Sequence, residues 1–252
     1  MHKILVIAVF SLFIWGCGSS IDTSNYTPSE RLAYAQKLYN DEDYLEAVQE
    51  FQAIILQYPG NPVVDDAQYY LAESRYQRGE YILAAYEFSK LIKTMPASEF
   101  VPTAQFMLAE CYYGLSPDYR LDQQYTKKAI SEYQAFIDFF PTNEKVKEAE
   151  KKISELNDKL AHKEYNTADL YETMGDDRSA LIYYTNVIDD YHDTQYAPIA
   201  MYDKINLLVS MNKNNDALDE ISKFLERYPD DKRIKELQEL KTSIEVKLSS
   251  SK

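Results

Sequence analysis

Few residues in this 252-residue sequence have the types and spacing that catalysis or metal binding requires. His162 and His192 are the histidines that follow the N-terminal segment, and no group of histidine, cysteine and carboxylate residues has the spacing of metal ligands. The glycines are accounted for by the N-terminal segment and by turns, so the sequence lacks a glycine-rich phosphate loop. The acidic runs at 41–43 and 176–177 suit helix–helix turns, where aspartates cap helices. The sequence therefore predicts a binding protein and not an enzyme.

Tyrosines at a regular spacing provide chemistry that suits binding. Tyr39, Tyr76 and Tyr113 follow one another at intervals of 37 residues. Tyrosine combines apolar area with a hydroxyl and loses little entropy when it is ordered, which suits the capture of a peptide. Neighbours one and two helical turns earlier extend the pattern to nine candidate groove residues: Leu32, Gln36, Tyr39, Tyr69, Glu73, Tyr76, Phe106, Glu110 and Tyr113. The sequence leaves two roles possible for Tyr39, Tyr76 and Tyr113, packing in the core and binding a ligand in the groove.

A repeated helical pattern carries these tyrosines. It is marked by a small residue that recurs at Ala47, Ala84, Ala129, Ala180 and Ala217, each followed four residues later by an aromatic residue or isoleucine. A small residue lets two helices cross closely, and the larger residue fills the space to the next pair. Gly79, Gly175 and Asn212 lie five residues before three of these alanines, where a tight turn requires the left-handed conformation. The pattern predicts helix hairpins stacked into a solenoid, with the first helices lining its concave face.

The repeat resembles the tetratricopeptide repeat over residues from about 28 to 229. The shared features are a small residue at the eighth position, alanine at the twentieth, an aromatic residue at the twenty-fourth and proline at the thirty-second. All nine prolines fall at expected helix boundaries or in loops, which supports an all-α chain. The resemblance implies a right-handed α-solenoid of five tetratricopeptide-like helix hairpins.

Two periods of the repeat are longer than the others, and each predicts a distinct feature. The period of 45 residues carries eight extra residues in a loop at 114–124. This loop can be a contact site or a product of neutral drift, and the sequence leaves both explanations open. The period of 51 residues covers a stretch without proline or glycine, which predicts one long helix from about 143 to 173. The charged residues early in this helix, among them Lys145 and Lys152, are expected to form a solvated face.

The long helix divides the expected organisation into two halves. Residues 28–141 form an N-terminal half of three hairpins. Residues 142–248 form the long helix and a C-terminal half of two hairpins with a capping helix, which terminal repeats of a solenoid require. Residues 249–252 are expected to form a tail.

The first 27 residues predict a lipid anchor. A short basic start and an apolar run from Ile4 to Trp15 are typical of a signal peptide and too short to span a membrane. The run ends at Cys17 in a sequence that resembles a bacterial lipobox, which implies a signal peptide at 1–16, lipid on the Cys17 thiol and a lipidated tether at 17–27. Gly18, where aspartate would favour the inner membrane, favours the outer membrane on its periplasmic side. A plain secretory leader is the alternative, and Cys111 is expected to be a buried, inert thiol.

The chain carries a formal net charge of −14, which is typical of an acidic, solvated surface. Such a surface repels nucleic acid and anionic lipid head groups, and no basic run with interleaved aromatic residues offers a phosphate track. Nucleic acid is therefore not an expected partner, and contact with the membrane is expected through the lipid anchor alone.

The order of these features resembles the BamD family, the tetratricopeptide lipoproteins of the outer-membrane β-barrel assembly machinery. Residues 163–171 (KEYNTADLY) and 191–196 (YHDTQY) add to the resemblance, which covers the chain after Cys17. It implies a non-enzymatic outer-membrane lipoprotein whose N-terminal hairpins bind targeting segments of unfolded outer-membrane proteins. The C-terminal half would dock a barrel-forming assembly protein (BamA-like), accessory lipoproteins are further candidate partners, and no cofactor is expected besides the covalent lipid on Cys17. The alternative is a periplasmic tetratricopeptide scaffold lipoprotein of cell-division, peptidoglycan or polymer-export machinery.

Overall fold

The computed structural model of this chain describes residue 23 and residues 25–250. The described residues form eleven helices and no strand, in the order α1 (Pro28–Asn40), α2 (Tyr44–Gln57), α3 (Val63–Gln77), α4 (Tyr81–Thr94), α5 (Val101–Leu115), α6 (Gln124–Phe139), α7 (Val146–Thr173), α8 (Asp177–Asp190), α9 (Tyr196–Ser210), α10 (Asn214–Arg227) and α11 (Ile234–Ser250). Successive helices pack into five hairpins, α1/α2 through α9/α10, and α11 packs on α10. The prediction of an all-α solenoid of tetratricopeptide-like hairpins is confirmed.

Both ends of the chain extend past the described residues. The predicted signal peptide, Cys17 and most of the tether lie outside them, as do residues 251–252. The capping helix α11 continues to Ser250, two residues beyond its expected end at 248. Within the described part of the chain, no helix is long and apolar enough to cross a membrane.

Small residues at the helix crossings allow the hairpins to close, as predicted. The marker alanines have no exposed surface: Ala47, Ala84, Ala129, Ala180 and Ala217. The side chains four residues later are also buried: Phe51, Phe88, Tyr133, Tyr184 and Ile221. Full burial of a large apolar side chain contributes about 1.5–3 kcal/mol, so this repeated pair of positions is a main source of the stability of each hairpin.

Residues with positive φ make the tight turns within the hairpins. Gly79, Gly175 and Asn212 have φ angles of 72°, 78° and 58°, which confirms the predicted left-handed turns. Glu42 occupies the same position in the first hairpin with a φ of 65°. Sequence reasoning placed a turn at 41–43 but missed its left-handed residue, because glutamate rarely adopts that conformation, where its Cβ approaches the following carbonyl oxygen.

Capping by the acidic runs agrees with the prediction at one of the two turns. The Asp176 side chain accepts a hydrogen bond from the backbone N–H of Ser179 at 3.2 Å, at the start of α8. Asp43 precedes α2 without a capping hydrogen bond from its side chain, so this acidic run has no capping role through Asp43. At the start of α1, the Glu30 side chain accepts a hydrogen bond from the backbone N–H of Thr27 at 2.8 Å, and the Thr27 side chain accepts one from the backbone N–H of Glu30 at 3.3 Å.

The predicted long helix is α7, with 28 residues, and it belongs to the cores of both halves. Ala149 and Leu156 pack in the aromatic core of the third hairpin. Ala161 and Ala168 pack in the core of the fourth and fifth hairpins. The two halves therefore share α7 as a common element of their cores.

The expectation of a solvated charged face at the start of α7 is wrong for Lys152. Lys145 agrees with it, because its side chain is 41% exposed and its Nζ lies 3.6 Å from Glu148. The same Nζ also lies 4.5 Å from the ring centre of Phe106. Lys152 donates hydrogen bonds to both carboxylate oxygens of Glu110, at 2.6 and 2.7 Å, and its Nζ lies 4.4 Å from the ring centre of Tyr113. These two side chains face α5, because that helix presents a carboxylate and aromatic rings to the lysine side of α7.

Candidate functional site

A polar pair within each of the first three hairpins fixes the helices that carry the candidate residues. In each pair a side chain of the first helix donates a hydrogen bond to a glutamate of the second helix. The pairs are Arg31–Glu50, Gln68–Glu87 and Gln105–Glu132, with donor–acceptor distances of 2.7, 2.9 and 2.8 Å. Sequence reasoning missed these pairs, although the glutamate always lies three residues after the marker alanine.

Two tyrosines flank a buried carboxylate at the centre of the candidate groove. Glu73 on α3 is 8% exposed, and burial raises its pKa. The nearby hydroxyl groups of Tyr69 and Tyr39, together with the positive charge of Lys145, lower the pKa of Glu73 and favour the ionised form. Burial and the nearby Glu73 raise the pKa of Tyr39 to about 12, and the same causes raise the pKa of Tyr69. Both phenols therefore keep their protons at neutral pH, so each hydroxyl can donate a hydrogen bond.

Contacts between aromatic rings hold these tyrosines in place. Tyr39 lies edge-to-face against Tyr70 with 5.3 Å between ring centres, and Tyr69 stacks on Phe100 at 4.4 Å. Each such pair contributes about 0.5–1.5 kcal/mol beyond the burial of its area. Tyr39 and Tyr69 remain only half-buried, so they present a positioned aromatic surface beside Glu73.

The rest of the open groove comes from Leu32, Gln36 and Tyr76, which are all half-buried. Leu32 packs against the core of the first hairpin. Tyr76 lies edge-to-face against Tyr81 with 5.3 Å between ring centres, and burial with the charge of Glu110 raises its pKa to about 12. These side chains are packed on one side and accessible on the other, so core packing and ligand contact are compatible roles.

The end of the predicted groove at the third hairpin is filled by α7. Phe106 and Glu110 are 2% and 9% exposed. Glu110 accepts a hydrogen bond from the Tyr133 hydroxyl as well as those from Lys152. Tyr113 is half-buried and donates to a carboxylate of α7 at 3.1 Å. The open groove is therefore the part formed by the first two hairpins, while Phe106 and Glu110 serve the packing of α5 against α7.

Tyrosine–carboxylate pairs recur in the C-terminal half, which sequence reasoning missed. Tyr165 donates a hydrogen bond to Asp203 at 2.7 Å, and Tyr202 donates one to Glu236 at 2.6 Å. Burial raises the pKa of Asp203. Both tyrosines occupy the repeat position of Tyr69, so the repeat pattern itself contained the signal.

Two groups of exposed apolar side chains lie elsewhere on the molecule. The first consists of Leu170 and Met174 at the end of α7, which are 57% and 69% exposed, and Ile182 on α8, which is 60% exposed. The second lies near the start of α4 and consists of Ile82, Leu83 and Tyr86. Large exposed apolar side chains that lie together are typical of protein–protein contacts.

Side chains suited to metal or thiol chemistry give no further site in the described part. Among residue 23 and residues 25–250, no group of three or more histidine, cysteine, aspartate and glutamate side chains could hold a metal ion. Cys111 has no exposed surface, and burial raises the pKa of its thiol. The prediction of a buried thiol is confirmed, and a thiol with a raised pKa is a poor nucleophile.

Comparison with known proteins agrees with the resemblance found in the sequence. A family model described as "YfiO: Outer membrane lipoprotein" matches residues 25–216. The chain is 26% identical over 226 residues to the outer membrane protein assembly factor BamD of Rickettsia prowazekii, covering 89% of this chain and 90% of that protein. It is 23% identical over 179 residues to the protein of the same name from Caulobacter vibrioides, covering 71% of this chain and 47% of that protein. Among solved structures, the TPR2AB-domain:pHSP90 complex of yeast Sti1 has a TM-score of 0.44 at 16% identity, covering 88% of this chain and 84% of that chain.

Proposed function

This chain belongs to the YfiO family of outer membrane lipoproteins, and from that membership we propose that it is a non-enzymatic assembly factor for outer-membrane proteins. The names of its relatives from Rickettsia and Caulobacter support this role. In the proposed role, the protein binds targeting segments of unfolded outer-membrane proteins and docks a barrel-forming partner. A scaffold of cell-division, peptidoglycan or polymer-export machinery is the alternative that the experiments below distinguish.

The groove of the first two hairpins supports the binding of an extended, aromatic-rich segment. Tyr39, Tyr69 and Tyr76 are held by packing yet half-exposed, so a ligand ring can pair with them at little cost in ordering. An extended segment also presents backbone N–H groups, and a carboxylate such as Glu73 accepts hydrogen bonds from N–H donors strongly. The pairing of accessible tyrosines with a buried acceptor is the observation that carries the proposal.

The C-terminal half supports the docking of the barrel-forming partner. Leu170 and Met174 lie one turn apart at the end of α7, Ile182 lies on α8, and each is more than half exposed. Tyr171 stacks on Tyr183 with 5.3 Å between ring centres, which joins the two helices. Because the two helices are already held together, a partner can bind this apolar surface without the entropy cost of ordering it.

The lipid anchor would keep both surfaces near the membrane. Each CH₂ group of an acyl chain that enters the bilayer contributes about 0.8 kcal/mol, and two or more chains on Cys17 suffice for stable anchoring. The ten residues at 18–27 span at most about 35 Å when extended. We therefore place the protein on the periplasmic side of the outer membrane, with covalent lipid as its sole attached group.

Peptide titration tests the groove. Full-length protein in detergent is titrated with a labelled peptide that ends in an aromatic residue. The double variant Tyr39→Ala/Tyr76→Ala should bind about 5- to 150-fold more weakly, because truncating aromatic anchors costs on the order of 1–3 kcal/mol. Tyr86→Ala is the matched control, since Tyr86 is 64% exposed on α4 and belongs to none of the groove positions. Unchanged affinity in the double variant, or an equal loss in the control, would contradict the assignment of the groove.

Co-purification tests the docking surface. Leu170→Asp/Met174→Asp places charge on the apolar turn and should abolish co-purification of the barrel-forming partner from detergent extracts. Ile82→Asp/Leu83→Asp places the same charge on the exposed apolar group of α4 and should leave co-purification intact. Recovery of cell-division, peptidoglycan or export proteins in place of a barrel protein would favour the alternative function.

A further inference from the structure

The loop with the extra residues of the third repeat is a folded unit. We call residues 116–123, which join α5 to α6, the strap. The buried Gln123 side chain donates hydrogen bonds to the backbone carbonyls of Asp118 and Leu121, at 2.8 and 3.0 Å. Thr126, at the start of α6, lies 2.6 Å from Ser116 and 2.7 Å from Gln123, oxygen to oxygen. These hydrogen bonds lie within the strap and its junction with α6, so they hold the strap in one conformation. A contact made at its surface can therefore affect the whole strap.

The strap lies along α7, where two lysines one turn apart hold it. Lys159 Nζ donates a hydrogen bond to the Ser116 hydroxyl at 2.8 Å. Lys163 Nζ donates one to the backbone carbonyl of Leu121 at 2.7 Å. The strap is therefore tied at both of its ends to the middle of the long helix.

A stack of three rings continues this contact across α7 to the fifth hairpin. The Tyr119 ring of the strap lies 3.9 Å from the ring of His162 on α7, and the His162 ring lies 4.9 Å from the ring of Tyr196. Tyr196 is the first residue of α9. The backbone N–H of Gln195, just before it, donates a hydrogen bond to Asp158 of α7 at 3.3 Å. The start of α9 is thus linked through α7 to the third hairpin.

We propose that the strap acts as a brace, which means that it fixes the position of the fifth hairpin relative to the third. His162 is the side chain through which the two are connected. In a solenoid each repeat contacts only its neighbours, so small bends accumulate along the array. The ring stack runs from the third repeat through His162 of the fourth repeat to the fifth, so it links two repeats that are not neighbours through the long helix, where the two halves meet. The extra residues of the third repeat therefore have a conformational role that goes beyond the proposed binding function.

Hydrogen exchange on the full-length protein in detergent tests the brace. Tyr119→Ala and His162→Ala should each speed amide exchange at the start of α9, over residues 200–204, the first amides with intrahelical acceptors, by about 2- to 10-fold, the range expected for losing one ring contact. Tyr119→Phe keeps the ring and should exchange like the wild type. Tyr86→Ala, the exposed tyrosine of α4, is the matched control and should also leave α9 unchanged.

Tyr119→Ala decides the proposal, because Tyr119 belongs to the strap and the readout lies two repeats away. Faster exchange limited to α7, the strap and the start of α9 would support the brace. Wild-type exchange at the start of α9 in Tyr119→Ala would overturn it, even if His162→Ala has an effect. Faster exchange throughout α1 to α4 would also overturn it, since that result indicates a general loss of stability. No ligand takes part, so the outcome is independent of the proposed function.

Discussion

Removing the ion pair between Lys152 and Glu110 tests whether this contact holds α7 against α5 of the third hairpin. Their side chains are 19% and 11% exposed, and Glu110 also accepts a hydrogen bond from Tyr133. Lys152→Met keeps most of the length and the apolar stem of the side chain but removes its charge. Glu110 is then left as a largely buried carboxylate with one remaining side-chain donor.

The expected loss of stability follows from the burial of this pair. Removing one partner of a buried ion pair costs about 3–5 kcal/mol when the remaining charge has no other partner. Glu110 keeps the Tyr133 hydroxyl and some contact with solvent, so we expect the free energy of unfolding to fall by about 2–3 kcal/mol. Lys151→Met is the matched control, because Lys151 is 78% exposed and lies 3.7 Å from Glu155. An exposed pair of this kind contributes at most about 0.5 kcal/mol.

Urea unfolding of the full-length protein in detergent, followed by circular dichroism, measures both changes. The double variant Glu110→Gln/Lys152→Met should recover most of the lost stability, since neither charge of the pair then remains buried. A loss for Lys152→Met that is no larger than the loss for Lys151→Met would refute the reasoning that this pair holds α7 against α5.

Three further predictions concern the hairpin crossing, a turn and the anchor. Ala84→Leu should lower the free energy of unfolding by about 1–3 kcal/mol through overpacking, and an unchanged melting temperature would mean that the repeat register is wrong. Glu42→Gly should raise stability in urea by about 0.5–1 kcal/mol, because glycine relieves the left-handed strain at a φ of 65° but has more entropy in the unfolded chain; a loss of stability would show that the turn is not strained. Cys17→Ala should leave an uncleaved or soluble precursor, because no thioether can form, and lipid label retained on the variant after cell fractionation would exclude Cys17 as the anchor.

Features that act within one hairpin were predictable from the sequence. Ala84 is recognisable because a close helix crossing requires a small residue, and Gly79 because a tight turn requires positive φ. The long helix α7 was predictable as well, since proline and glycine are absent over a stretch with apolar residues at helical spacing. Each of these signals depends on residues close together in the chain, which periodicity detects.

Contacts between distant elements were not predictable in the same way. Lys152 and Glu110 are 42 residues apart, and the charge pattern of α7 alone gives no sign that one lysine turns inward while its neighbour stays exposed. The accessibility of the groove residues also depends on a distant element, so it was not predictable either. Tyr76 and Phe106 both occupy positions that the repeat assigns to the concave face, yet only Tyr76 stays accessible, because α7 packs over the third hairpin.

Photocrosslinking in cells tests most directly the central claim that two surfaces have two ligands. A photoreactive amino acid at Gln36, which is half-buried in the groove, should crosslink outer-membrane proteins through their aromatic C-terminal segments. The same amino acid at Met174, which is 69% exposed at the turn between α7 and α8, should crosslink a single barrel-forming protein. Mass spectrometry of the crosslinked peptides identifies both. Crosslinks from Gln36 to the protein captured at Met174, without any to C-terminal segments of other outer-membrane proteins, would contradict the account.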